Sequence, residues 1–155
     1  MPKIQNLLIP GGLGFVGSNA LVELYSSTNS NFIIIDDFSN CFDDVLDRVV
    51  KILANKFNPE DINKRILLKK GNIMDLEFLD SVFKGQVEKN QPIDGIMHFA
   101  AKKAVNESIF KPLEYYENNL VGSMNLFKMM EKYEKCTNFI FSSTAAVYGD
   151  KDGCK

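Results

Sequence analysis

The glycines at 11, 12, 14 and 17 carry the spacing of a phosphate cradle. Gly12-x-Gly14-x-x-Gly17 and Gly11-x-x-Gly14-x-x-Gly17 are both satisfied. Glycine lets a chain turn tightly and lets phosphate oxygens approach backbone amides without meeting a Cβ. A helix opening after such a turn adds unpaired N–H donors and the positive end of its macrodipole. The spacing gains weight only from its context. An apolar run, Ile4 to Ile9, precedes it as a buried strand, and Phe15 to Tyr25 follows with helical periodicity. The next apolar run, Phe32-Ile33-Ile34-Ile35, ends in Asp36-Asp37. Asp36 stands 36 − 17 = 19 residues after Gly17, near the spacing at which a carboxylate meets the adenosine ribose. A carboxylate there also repels the extra phosphate of NADP, so NAD is the expected cofactor. The plain alternative is a pair of solvated strand-end acids.

Other strand ends carry further candidates. The run His98-Phe99-Ala100-Ala101-Lys102-Lys103 puts small residues where a cofactor could lie along the backbone. Lys103 is either a phosphate or ribose ligand or a solvated loop lysine. His98, the single histidine, lies inside an apolar run and reads as a packed strand residue. Asn118 and Asn119 are poor helix formers, which suggests that Asn118 faces the cofactor or bonds local backbone. The run Phe141-Ser142-Ser143-Thr144 ends a strand in hydroxyls. Thr144 is placed to hydrogen-bond an alcohol or carbonyl oxygen undergoing hydride transfer, or to bond its own backbone. No set of residues has metal-ligand spacing.

Apolar runs alternating with helix-period segments must position these groups. Strands are expected at Lys3–Ile9, Phe32–Asp36, Arg65–Lys70, Gly95–Phe99 and Asn138–Ser142. Helices are expected at Phe15–Ser26, Val45–Lys56, Leu76–Glu88 and Pro112–Glu134, with Asn58–Lys64 a polar linker broken at Pro59. Such runs imply an α/β fold: a doubly wound, Rossmann-like parallel sheet of order 3-2-1-4-5, with its crevice between strands 1 and 4.

The 155 residues suit one domain, spanning 1–155, and the 45% hydrophobic content suffices for a core. A net charge of −2 with interspersed signs leaves nucleic acid an unexpected partner. Cys41, Cys136 and Cys154 lack CxxC spacing and read as reduced thiols. No signal peptide or membrane-length apolar run is evident, so a cytoplasmic location is expected.

Several stretches together resemble UDP-glucose 4-epimerases, members of the extended short-chain dehydrogenases/reductases. They are Gly11–Ser18, Asp36–Asn40, His98–Ser108, Lys111–Asn119 and Asn138–Asp150. The Lys103-Ala104-Val105-Asn106-Glu107-Ser108 and Lys111-Pro112-Leu113-Glu114-Tyr115-Tyr116-Glu117-Asn118-Asn119 runs point to the epimerases rather than the wider superfamily. The resemblance implies that Gly11, Gly14 and Gly17 cradle the pyrophosphate with the amides of Phe15 and Val16. It implies that Asp36 binds the adenosine ribose while Asp37, Phe38, Ser39, Asn40 and Cys41 wrap that end of NAD. Asn72 and Ile73 would meet the adenine. Phe99, Ala100, Ala101, Lys102 and Lys103 would line the cofactor, with Lys103 near the nicotinamide ribose, and Asn118 would add a contact. Thr144 matches the catalytic serine or threonine, and a UDP-sugar is the implied substrate.

Three departures stand out. Pro10 replaces a threonine, removing a hydroxyl and an N–H in a central strand. Asn72 replaces an aspartate, so an amide oxygen is left to accept the adenine amino group. The family's tyrosine and lysine, four residues apart after strand 5, are missing: Tyr25, Tyr115, Tyr116, Tyr133 and Tyr148 are followed at that spacing by Asn29, Asn119, Leu120, Thr137 and Asp152. The expectation is therefore the N-terminal, NAD-binding part of an epimerase, truncated after the fifth strand. It would be inactive alone and impaired as a homodimer. A non-catalytic NAD-binding module and a degenerate fragment are the alternatives.

Overall fold

The computed structural model describes residues 4–148. Lys3, Gly149, Asp150, Asp152 and Cys154, named above, lie outside the described residues. Five strands form one parallel sheet: β1 Asn6–Pro10, β2 Asn31–Asp36, β3 Ile66–Lys70, β4 Gly95–His98 and β5 Asn138–Phe141. Their spatial order is β3-β2-β1-β4-β5, as expected for a doubly wound sheet.

Side-chain alternation along the central strands divides the core between two faces. Leu7, Ile9, Phe32 and Ile34 pack under α1 (Phe15–Ser27), α2 (Val45–Ala54) and α3 (Pro59–Arg65). Leu8, Ile33, Ile35 and Ile96 pack on the opposite face under α4 (Leu76–Glu88) and α7 (Gly122–Lys132). Because both faces are covered, β1 and β2 show no polar alternation, only apolar runs.

The Asn58–Lys64 linker is corrected to a helix, α3. Asn58 accepts the Glu60 amide as its N-cap, Pro59 takes the first turn, and Ile62 is fully buried. Proline at that position starts a helix instead of breaking one. Arg65 closes the helix and stacks on Tyr25 at 3.8 Å, while its guanidinium donates to the carbonyls of Ser30 and Thr28. It thereby ties β3 to the end of α1.

The expected helix from 112 to 134 is also corrected. It is α6 (Pro112–Tyr116), a π-helical turn (Glu117–Val121) and α7, and α5 (Val105–Phe110) precedes it unforeseen. Pro10 proves compatible with β1 because it is the last residue there. Its carbonyl still accepts the Phe99 amide at 2.9 Å.

Candidate functional site

The chain leaves β1 and turns at Gly11, whose φ of +74° lies in the left-handed region. A Cβ there would sit 2.5 Å from the Ala100 amide nitrogen, so the turn after β1 and the end of β4 approach as only glycine permits. Gly17 has the same role inside α1, where a Cβ would collide with the Gly11 carbonyl. Gly14 precedes α1 in an extended conformation, and no side chain caps the helix. Its first-turn amides consequently lack intrahelical acceptors and border the crevice between β1 and β4.

A cleft of about 600 Å³ follows the C-terminal edge of the sheet, from Asn72 beyond β3 to Thr144 beyond β5. Gly11, Gly14, Phe15, Val16 and Gly17 form its middle. Asp36, Asp37, Ser39, Asn40 and Cys41, with Asn72 and Ile73, line one end. Phe99, Ala100, Ala101, Lys102, Lys103, Asn118 and Thr144 line the other. Phe38 is the exception among the expected residues. It adopts φ +63°, packs against the α1–α2 side of the core, and carries the Lys70 ammonium 4.7 Å from its ring centre. Its amide still reaches the site by donating to Asp36 at 3.1 Å.

Asp36 organises the first end. Its carboxylate accepts the Leu13 amide at 3.0 Å as well as that of Phe38, joining the glycine loop to the turn after β2. Two bonds leave a carboxylate with further lone pairs for a ligand hydroxyl. The Cys41 thiol lies 3.7 Å from Asp36. Burial, followed by the Asp36 charge, pushes its pKa up to about 11, which keeps it protonated and unreactive at neutral pH. Asp37 accepts from the Ser39 amide at 2.9 Å and from Asn72 at 2.9 Å. The Asn72 amide oxygen accepts the Met74 amide at 2.8 Å, which leaves one of its lone pairs.

At the other end the π-helical turn has a clear effect. It holds Asn119 so that its side chain accepts the Lys102 amide at 2.8 Å and donates to the Lys102 carbonyl at 3.0 Å. Asn118 donates to Asn119 at 3.0 Å. Inserted π turns recur where a helix must present side chains to a site. The Ser123 hydroxyl donates to the Asn119 carbonyl at 2.7 Å and contacts His98 Nε2 at 3.0 Å. Since that hydroxyl proton is committed, Nε2 must be the protonated nitrogen of His98. Its Nδ1 is buried without a partner. Burial lowers the His98 pKa to about 4, so the ring is neutral and structural, as its place in β4 suggested. Lys102 forms an ion pair with Glu114 at 3.1 Å.

Ile35, Gly71, Asn119, Phe141, Ser142 and Ser143 also line the cleft and were not among the expected site residues. For Asn119 the available signal was the adjacent Asn118; for the serines it was the hydroxyl run itself. Among the described residues no cluster of histidine, cysteine or carboxylate side chains could hold a metal. No helix among them is long and apolar enough to cross a membrane.

The sheet order, the glycine turn at the switch point and the strand-end acid define a Rossmann-like domain. A model of the family described as GDP-mannose 4,6 dehydratase matches residues 8–154. The chain belongs to that family. It is 38% identical to a UDP-glucose 4-epimerase of Pasteurella multocida, over 94% of this chain and 38% of that protein. The UDP-glucose 4-epimerase of Stenotrophomonas maltophila, solved with NAD and formylated UDP-arabinopyranose, superposes with a TM-score of 0.80 at 31% identity, covering 97% of this chain and 40% of that one. The Bifidobacterium longum enzyme, in complex with NAD+ and UDP, gives 0.77 at 33% identity, over 94% and 38%. The chain thus spans about two fifths of the length of these relatives.

Proposed function

We propose that this chain is the NAD-binding part of a UDP-sugar 4-epimerase, interconverting UDP-glucose and UDP-galactose through a 4-keto sugar. The observation that carries this reading is the single cleft that joins the Asp36 end, the glycine turn and the Thr144 end. Its residues fit a dinucleotide. The uncapped first turn of α1 and the Gly11 turn suit a pyrophosphate. The remaining lone pairs of Asp36 suit a ribose diol, and its charge disfavours a 2′-phosphate. Bound NAD would supply a hydride acceptor that returns the hydride to the sugar.

At the other end, Lys103 borders the place for the nicotinamide ribose, and Thr144 borders the place for the sugar oxygen. Asn119 holds the backbone at Lys102, which keeps the strand-end segment Phe99–Lys103 in position along the cofactor. Proton transfer at the sugar hydroxyl requires a base. No tyrosine in this sequence has a lysine four residues on, so cofactor binding is the part of the reaction assigned to these residues. We place the protein in the cytoplasm.

An apolar stripe along α6 and α7 is exposed at Leu113, Tyr116, Leu120, Met124 and Phe127. It supports contact between copies through these helices. Titration calorimetry of the purified chain tests the reading. NAD is expected to bind and NADP to bind at least about tenfold more weakly, with no turnover of UDP-galactose. Absence of NAD binding would overturn the reading.

A further inference from the structure

The adenosine end of the cleft contains a polar pair whose chemistry differs from that of a lone strand-end carboxylate. We propose that Asp37, on the turn after β2, accepts the exocyclic amino group of the adenine, and that Asn72, after β3, supplies the neighbouring donor. This rests on the dinucleotide reading above.

Sheet order fixes where the base must go. With the pyrophosphate on the glycine turn after β1 and the ribose at Asp36, the base extends toward β3, the strand beyond β2. Asn72 and Asp37 both line the cleft there. The Met74 amide can only donate, so the Asn72 atom facing it at 2.8 Å is the carbonyl oxygen. The Asn72 NH2 group therefore points toward Asp37 and donates to it at 2.9 Å. One N–H of that group remains for a ligand.

Asp37 is held at both oxygens, by Asn72 on one and by the Ser39 amide on the other. Each oxygen still retains acceptor capacity. The site accordingly presents a carboxylate acceptor beside a donor, and it bridges the turns after β2 and β3. Adenine presents the complement on its N6/N7 edge, an amino donor beside the N7 acceptor, and hypoxanthine retains that N7. Hypoxanthine replaces the amino group with a carbonyl oxygen, which would face the carboxylate.

The test is binding of NAD and of nicotinamide hypoxanthine dinucleotide to the purified chain and to two variants, by titration calorimetry. The chain is expected to prefer NAD by about tenfold. Asp37→Ala should bring that ratio close to one, whereas Asn72→Ala should weaken both ligands and leave most of the ratio. Local loosening affects both dinucleotides alike, so the ratio isolates recognition of the base. A ratio near one in the parent chain, or one unmoved by Asp37→Ala, overturns the assignment while leaving the dinucleotide reading intact. If neither dinucleotide binds the parent chain, the dinucleotide reading itself fails, and this assignment with it.

Discussion

The two halves of the sheet are finished differently. In the half built from β1, α1, β2, α2, α3 and β3, the apolar side chains of β1 and β2 are buried, those of the edge strand β3 are half-buried, and the turns are tied by specific bonds. Leu13 and Phe38 donate to Asp36, Asn72 to Asp37, and Arg65 to two carbonyls at the end of α1. In the half built from β4, α5, α6, α7 and β5, burial is sparser: Ile96, Leu126 and Met129 are buried, but α5, α6 and the π turn bury no side chain. Val105, Ile109, Phe110 and Leu113 are largely exposed, as are Phe127 and the β5 residues Ile140 and Phe141. β5 also forms one edge of the described sheet. The first half packs one face under its own helices α1, α2 and α3 and the other under α4 and α7, while the second presents apolar surface whose burial the described residues do not provide. The turns of the first half supply the glycine and acidic lining of the cleft, and the outward faces of the other half are suited to packing against further protein.

The contrast can be broken most forcefully at the seam between the halves. Gly11→Val places a β-branched side chain at φ +74° and against the Ala100 backbone. A loss of about 4 kcal/mol is expected, read as a shift in the urea midpoint. A loss below about 1 kcal/mol would show that the two strand ends can separate without penalty.

The buried contacts of the second half are tested by pH. His98 has its pKa lowered from 6.5 to about 4 in the folded chain by burial. Between those values the unfolded chain binds the extra proton, so stability falls as pH drops from about 6.5 and levels off below about 4. The contribution is about 3 kcal/mol at full development. Denaturation of the parent chain and His98→Gln across that window should show this component in the parent alone.

The smallest effect belongs to the outer face of the second half. Leu113→Ser should change stability by no more than about 0.5 kcal/mol, because Leu113 is 76% exposed, whereas Phe127→Ser should cost about 1 kcal/mol, since its ring packs 4.7 Å from that of Phe139. Light scattering should nevertheless show reduced self-association. A loss comparable to that of a core substitution would mean that these side chains support this fold directly.

Much of this was legible because it is local. The glycine turn, the acid ending β2 and the apolar runs of β1 and β2 each announce themselves within a few residues, and strand order follows from right-handed crossovers. Two helical assignments failed for physical reasons. Pro59 reads as a break along the sequence, but Asn58 caps the helix it opens. The segment from 112 to 134 reads as one helix because a π turn barely disturbs apolar periodicity. Its purpose becomes visible only when Asn119 is seen holding Lys102 across 17 residues.

The sequence by itself determined the fold class, the order of the strands and almost all the residues that meet in the cleft. The glycine turn, the strand-end acid and the strands follow from residue type and short spacing, through sterics at glycine and periodicity. Others of the cleft, Asn72 and Ile73 among them, are named only through the resemblance to the epimerases. Only the tertiary structure decided which polar atoms were already engaged. It turned Phe38 away from the cleft, committed the Asn72 oxygen to Met74, and set its amide against Asp37. Such choices depend on which donors and acceptors from distant segments come within 3 Å of each other, and no spacing along the chain encodes that.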